Sequence, residues 1–280
     1  MGVNKTMKKT IFKFIMGASL LALTYGCSEQ KQATSSDEIN VGVILGFTGP
    51  IESLTPTMAA SAEMAYKEAS DSGKLLGGTT ITVVRADSTC IDAAAATSAA
   101  ERLITSDNVV AIMGADCSGV TTAIANNVAI PNGVTMISPS ATSPALTDIE
   151  DNGYFFRTAP SDARGGEILA QVVLEKGISS VAVTHTNNDY GKGLADSFSS
   201  AYTALGGTVT IDIAHEDGKG DYSAEVGTLS ASGANELVVI GYLDQGGRGI
   251  IQSSIDSGAF SRFVLSDGMI GQSLIDNVDG

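Results

Sequence analysis

From residue 38 onward, short apolar runs alternate with longer stretches of mixed polarity. Residues 39–45, 80–85, 109–113 and 134–138 are runs of five to seven rich in Val, Ile and Thr. The spacing predicts strands there, with helices over 57–71, 92–105 and 120–129. Pro139, Pro144 and the polar stretch 148–153 interrupt the rhythm, and 154–157 is a short extended piece. The alternation then resumes, with strands expected at 180–184, 208–213, 237–241 and 263–266. Helices are expected at 165–176, 193–205, 222–230 and 247–257. Runs apolar on both faces belong in parallel sheets covered by helices on either side, so the expected fold class is α/β with two doubly wound units. The units divide into an N-terminal lobe, 38–157, and a C-terminal lobe, 158–280. The chain stops at Asp279-Gly280 just as a further β-α unit begins, so the second lobe reads as incomplete.

Composition narrows the picture. At 280 residues and 43% hydrophobic content, the chain has material for two cores. Aromatics make up only 5% and Trp is absent, so small aliphatic residues must pack helix against sheet. Formal net charge is −15, and the first 26 residues contain four lysines and no acid, leaving the remainder near −19. Such a surface repels phosphate backbones and excludes a nucleic-acid partner.

The N-terminus carries a targeting pattern. Lys8 and Lys9 precede an apolar run to Leu23 that is too short for a membrane span, so 1–26 reads as a signal peptide. Gly26-Cys27-Ser28 resembles a lipoprotein processing site, with Cys27 as the acylated residue; an ordinary signal with an incidental Cys is the alternative. Residues 27–37 form a polar tether. Export places the chain in an oxidising compartment, where Cys90 and Cys117 make an even pair and a disulfide is expected; two buried free thiols are the alternative. Any contact with the membrane would run through the N-terminal anchor.

Motifs for catalysis fail one after another. There is no phosphate-binding Gly-x-x-x-x-Gly-Lys loop, and Gly191-Lys192-Gly193 lacks the third glycine because Asp196 occupies its place. No Gly-x-Ser-x-Gly elbow occurs. His185 and His215 have no Cys or His at ligand spacing, so no metal and no cofactor are expected, and no residue is assigned a catalytic role. What remains are polar segments beyond the carboxyl ends of strands, where open α/β sheets bind ligands. Residues 114–122 place Ser118 at a helix start, as an N-cap or an anion donor. Residues 137–144 crowd hydroxyls and backbone amides into one loop. Residues 187–191 put Tyr190 in a loop of the second lobe, 241–247 carry Tyr242 and Asp244, and 265–268 end a strand with Asp267; either Asp could equally cap the next helix.

Taken in order, Met113–Ser118, Met136–Thr142, Phe156–Asp162, Asp189–Ala195 and Ser266–Gly268 resemble segments of the leucine/isoleucine/valine-binding proteins. The resemblance runs from about Ile39 to the end of the chain. It implies a type I periplasmic binding fold whose two lobes close on a ligand, and a receptor that hands an α-amino acid to an ABC transporter permease from the periplasm; a ligand sensor of the same fold is the alternative. Carried over, Ser118 matches the serine on the ligand carboxylate, and Ser140, Ala141 and Thr142 match the loop that supplies further donors. Tyr190 and Tyr242 match aromatic contacts from the second lobe, and Asp267 matches the acid that pairs with the ammonium. Cys90 and Cys117 match a disulfide pair. Three positions depart: Leu54 stands where these binders have Tyr, Ser140 replaces a smaller residue, and Asp267 is shorter than their Glu. The site is expected to hold its ammonium with one buried carboxylate.

Overall fold

The computed structural model describes residues 37–278. The expected signal peptide, the lipidation site at Cys27 and nearly all of the tether lie outside these residues.

Two parallel sheets organise the described chain. The first is built from β1 (Glu38–Leu45), β2 (Thr80–Asp87), β3 (Val109–Gly114), β4 (Thr135–Ser138) and β5 (Phe155–Arg157), in the order β2-β1-β3-β4-β5. The second contains β6 (Ser180–Thr186), β7 (Thr208–His215), β8 (Leu237–Ile240) and β9 (Phe263–Leu265), in the order β7-β6-β8-β9. Every strand pair is parallel. In both sheets the first strand lies between the second and third, so the winding reverses between β1 and β3 and between β6 and β8. A ligand crevice belongs at that reversal, outside the strands' carboxyl ends.

The apolar runs form strands because both of their faces are covered. Val181, Ala182 and Val183 of β6 and all four residues of β8 are fully buried. Each large aliphatic side chain so buried contributes roughly 1.5–3 kcal/mol. The helices are α1 (Thr55–Asp71), α2 (Ala93–Thr105), α3 (Ser118–Ile124), α4 (Asp162–Glu175), α5 (Asp189–Ala204), α6 (Ser223–Ser230), α7 (Gly246–Ser257) and α8 (Gln272–Asn277). On α2, Ala96, Ala100 and Leu103 form the buried stripe, so small residues bring the helix close to the sheet.

Several boundaries differ from expectation for local reasons. Helix α1 starts at Thr55 and not 57, because Pro56 fits its first turn. Helix α5 starts at Asp189 and not 193: the Asn188 side chain accepts from the Tyr190 and Gly191 amides and caps it. Tyr190 is therefore a first-turn helical residue and not a loop residue. The helix expected over 120–129 starts at Ser118 and, after α3, widens into a π turn over Ala125–Ala129. The region read as a break holds a 3-10 turn at Pro144–Thr147.

Candidate functional site

The carboxyl ends of β1, β2 and β3 are tied together by one buried carboxylate. Asp116 Oδ2 accepts from Gly46 N–H at 2.8 Å, and Oδ1 accepts from Cys117 N–H at 3.0 Å and from the Ser88 hydroxyl at 3.3 Å. The residue is 2% exposed. Burial pushes its pKa up, while these hydrogen bonds pull it down. Beside it a disulfide joins Cys90 to Cys117, fixing the loop after β2 to the start of α3. Gly114 ends β3 with φ +126°, and a Cβ there would lie 1.9 Å from Ile44 O, so only glycine fits.

Ser118 does not cap α3; Cys117 holds the cap position and makes no side-chain cap bond. Instead the Ser118 hydroxyl oxygen accepts from the Thr142 and Ser143 amides, each at 3.1 Å. With both lone pairs engaged, its proton is left to donate elsewhere. The loop after β4 is less open than its sequence implies. Ala141 N–H goes to Ser138 Oγ at 2.9 Å, and the Ser140 hydroxyl donates to Asp116 O at 3.0 Å. The Thr142 and Ser143 amides thus hold the loop on α3, and the Ala141 amide closes the loop on itself. Thr142 differs: it is 7% exposed, and its hydroxyl faces the Asp162 carboxyl.

The second sheet contributes a stacked tyrosine pair. Tyr190 and Tyr242 have ring centroids 5.2 Å apart, with planes inclined by 20°. The Tyr190 hydroxyl donates to Asp267 Oδ1 at 2.9 Å, lies 3.0 Å from Ser266 Oγ, and accepts from Gly268 N–H at 3.3 Å. Burial holds both phenols well above their ordinary pKa. Gly191 lets α5 approach β6 closely enough to place Tyr190, since a Cβ there would lie 2.1 Å from Thr186 O.

These residues meet in one cavity of about 160 Å³. Its walls are Ile51, Leu54, Met58, Asp116, Cys117, Ser118, Ser140 and Thr142 from the first lobe, with Tyr190, Tyr242, Asp267 and Gly268 from the second. Ser118, Ser140, Thr142, Tyr190, Tyr242 and Asp267 are thus brought together. Leu54 forms part of an apolar wall with Ile51 and Met58. An adjoining space of about 400 Å³ shares Ser140, Thr142 and Asp267 with the cavity and adds Asp162.

One expectation is overturned. Asp267 is exposed and not buried: it opens a 3-10 turn after the edge strand β9, where the Tyr190 hydroxyl reaches its carboxylate. The buried carboxylate on that side is Asp162, 6% exposed, with Oδ2 unpartnered. Burial raises its pKa to about 6; the Thr142 hydroxyl pulls the other way, Asp267 adds to the rise, and Arg157 opposes it. Asp162 falls within Phe156–Asp162, but Ser161-Asp162 before a helix reads equally as capping, so local pattern does not reveal its place in the crevice.

The lobes touch at the crevice rim. Asp244 N–H donates to Pro50 O at 3.0 Å, while Asp244 Oδ2 accepts from Ser53 N–H at 3.0 Å and Oδ1 from the Ser273 hydroxyl at 3.0 Å. One carboxylate oxygen therefore reaches the first lobe while the other is held within the second, and the side chain does not cap α7. Among the described residues no helix is long and apolar enough to cross a membrane.

Comparison with known proteins agrees with this architecture. A family model described as "Periplasmic binding protein" matches residues 38–269. The chain is 29% identical over 269 residues to Leu/Ile/Val-binding protein homolog 1 of Brucella melitensis, covering 96% of this chain and 69% of that protein. It resembles the branched-chain amino acid transporter substrate binding protein of Streptococcus pneumoniae in complex with isoleucine. That likeness has a TM-score of 0.73 and 28% identity, and covers 86% of this chain and 67% of the other. A solute binding protein from R. palustris in complex with 4-hydroxybenzoate shares the fold alone, with a TM-score of 0.71 at 22% identity over 84% of this chain and 63% of the other. All three are named as binding proteins. The chain belongs to the periplasmic binding protein family, with the type I fold, and its place is extracytoplasmic.

Proposed function

We propose that this protein is the receptor of an ABC uptake system and captures a small α-amino acid between its lobes. In this reading the ligand carboxylate lies against the Ser118 hydroxyl and the Ser140–Thr142 loop at the start of α3. The ammonium lies toward Asp267, and the side chain rests between Leu54, Ile51 and Met58 on one side and the tyrosine stack on the other. Closure of the lobes buries the zwitterion, and the loaded face docks on a membrane permease. Cys27 serves as the lipid anchor of a protein retained at the membrane, and residues 27–37 as its tether.

The observation that carries the reading is the meeting in one cavity of a hydroxyl poised to donate, at Ser118, with a carboxylate held by a tyrosine, at Asp267. A zwitterion offers an anion and a cation a few ångströms apart, and charge-assisted hydrogen bonds to each are worth roughly 1.5–3 kcal/mol. The relatives named for branched-chain amino acids support the class of ligand. A thermal-shift screen of amino acids and small carboxylates tests it. Stabilisation by a branched-chain or related small amino acid, lost in Asp267→Ala by calorimetry, is the expected outcome. Stabilisation by benzoates alone would refute the amino-acid reading.

A further inference from the structure

A glycine inside a helix weakens it relative to alanine, so its presence there needs a physical reason. Gly193 lies one turn into α5 and is half-buried. The atoms that crowd it belong to the other lobe. A Cβ at Gly193 would lie 2.7 Å from Pro144 Cδ, 3.3 Å from Ser143 Oγ and 3.6 Å from Pro144 Cγ. Gly191, on the same helix, is different: there a Cβ would meet Thr186 O of its own lobe. The bare backbone at Gly193 is therefore the seat on which the first lobe's 3-10 turn, Pro144–Thr147, rests against the second lobe.

Neither side of this contact is free to yield. Pro144 Cδ is closed into a ring on the backbone nitrogen, so it cannot rotate away. Ser143 before it is held at both ends: its N–H donates to Ser118 Oγ at 3.1 Å, and its carbonyl accepts from Arg157 Nη1 at 2.8 Å and from Leu146 N–H at 3.2 Å. Leu146 is buried. On the other side, α5 lies tight on its own lobe. A Cβ at Gly191 would meet Thr186 O at 2.1 Å, and one at Gly166 of α4 would meet the Phe198 nitrogen of α5 at 2.6 Å. A methyl group at 193 must then push the turn and the helix apart. Carbon contacts settle at about 3.5–4.0 Å, so the separation grows by about 1 Å. That movement reaches the cavity walls directly. Tyr190 stands three residues before Gly193 on the same face of α5, while Ser118 and Thr142 are tied to the loop that ends in Pro144.

We propose that Gly193 is a positioning residue for ligand capture: its missing side chain lets Pro144 seat on α5 and sets how closely Tyr190 approaches Ser118 and Thr142 across the crevice. The inference rests on the reading of this crevice as the ligand site and adds the contact that fixes its width. An empty crevice tolerates a wider spacing, whereas a ligand that must touch both walls does not. Alanine also favours the helix over glycine. Stability and affinity are therefore expected to move in opposite directions, which a purely structural glycine would not produce.

The test is a double-mutant cycle read by calorimetry with L-isoleucine on the purified protein, beside thermal melting without ligand. In Gly193→Ala the affinity is expected to fall about ten-fold or more, as overpacking of a fitted contact does, while the unliganded melting temperature stays level or rises by about 2–4 °C. Pro144→Ala removes the ring carbons that the new methyl would strike. In that background Gly193→Ala is expected to change affinity by less than about three-fold, within the scatter of independent sites. Unchanged affinity in Gly193→Ala overturns the proposal and leaves the amino-acid reading standing. So does an equal loss with and without Pro144, or a lower melting temperature of the unliganded variant. A wild type that binds 4-hydroxybenzoate and no amino acid refutes the amino-acid reading, and the same cycle is then read with 4-hydroxybenzoate, because the inference concerns the spacing of the walls. A wild type that binds neither refutes both.

Discussion

Replacing Asp116 is expected to loosen the part of the fold on which the crevice is built. Its two carboxylate oxygens accept three hydrogen bonds, from the Gly46 and Cys117 amides and the Ser88 hydroxyl. In Asp116→Ala, two amides lose their acceptor in a position that is 2% exposed. The Ser88 hydroxyl can rotate to another partner and is left out of the reckoning. An unsatisfied buried donor costs roughly 1–3 kcal/mol, so two cost about 4 kcal/mol. Relief of the buried charge returns part of this, as the upward shift of the Asp116 pKa indicates, leaving a net loss of about 3 kcal/mol. Asp116→Asn retains one carbonyl acceptor but turns an NH₂ group toward a donor, so about half that loss is expected. Urea unfolding followed by circular dichroism measures both. Variants as stable as wild type, or Asn as damaging as Ala, would refute the idea that acceptor count at this position governs stability.

Three further outcomes follow from the structure. Asp244→Ala removes the clasp on Ser53 and Ser273, so release of L-isoleucine in stopped flow is expected to be about ten-fold faster, the equivalent of one net hydrogen bond of about 1.4 kcal/mol, with little change in association rate; an unchanged release rate would count against a rim latch. Burial, helped by the neighbouring His185 and opposed by Glu225, lowers the His215 pKa from 6.5 to about 4. The neutral form is the folded one, so its contribution is complete above about 6.5 and is lost as pH falls through about 4, up to about 3 kcal/mol; the drop in urea midpoint between pH 7 and pH 4.5 is expected to shrink in His215→Gln. Reduction of Cys90–Cys117 opens a loop of 27 positions and is expected to remove about 3.5 kcal/mol by chain entropy, read as a lower melting temperature; indifference to reductant would contradict a disulfide in the folded protein.

The fold was legible because its strands are short, β-branched runs, and the central strands of the second sheet show almost no polar face. Residues such as Val181–Val183 and Leu237–Ile240 have no place but a sheet covered on both sides, and they are buried there. The crevice was legible in outline because strand-end loops carry its polar residues, and Ser118, Thr142 and Asp267 do line one cavity. What escaped were properties set by chain segments far apart. Ser118 reads as a cap, but its oxygen serves amides 24 and 25 residues away. Asp267 reads as buried, but lies at an exposed turn beyond an edge strand, while Asp162, hidden among capping residues, is buried. Asp244 reads as a cap and instead reaches a loop 191 residues earlier. Local pattern reports which residues are polar and where strands end; it does not report which polar atoms are already satisfied.

A crystal structure of the protein grown with L-isoleucine tests the central claim most directly. The expected complex has the ligand carboxylate within hydrogen-bonding distance of Ser118 Oγ, and its ammonium turned toward Asp267. A ligand bound with its carboxylate turned away from α3, or seated anywhere other than between Ser118 and the tyrosine stack, would contradict it.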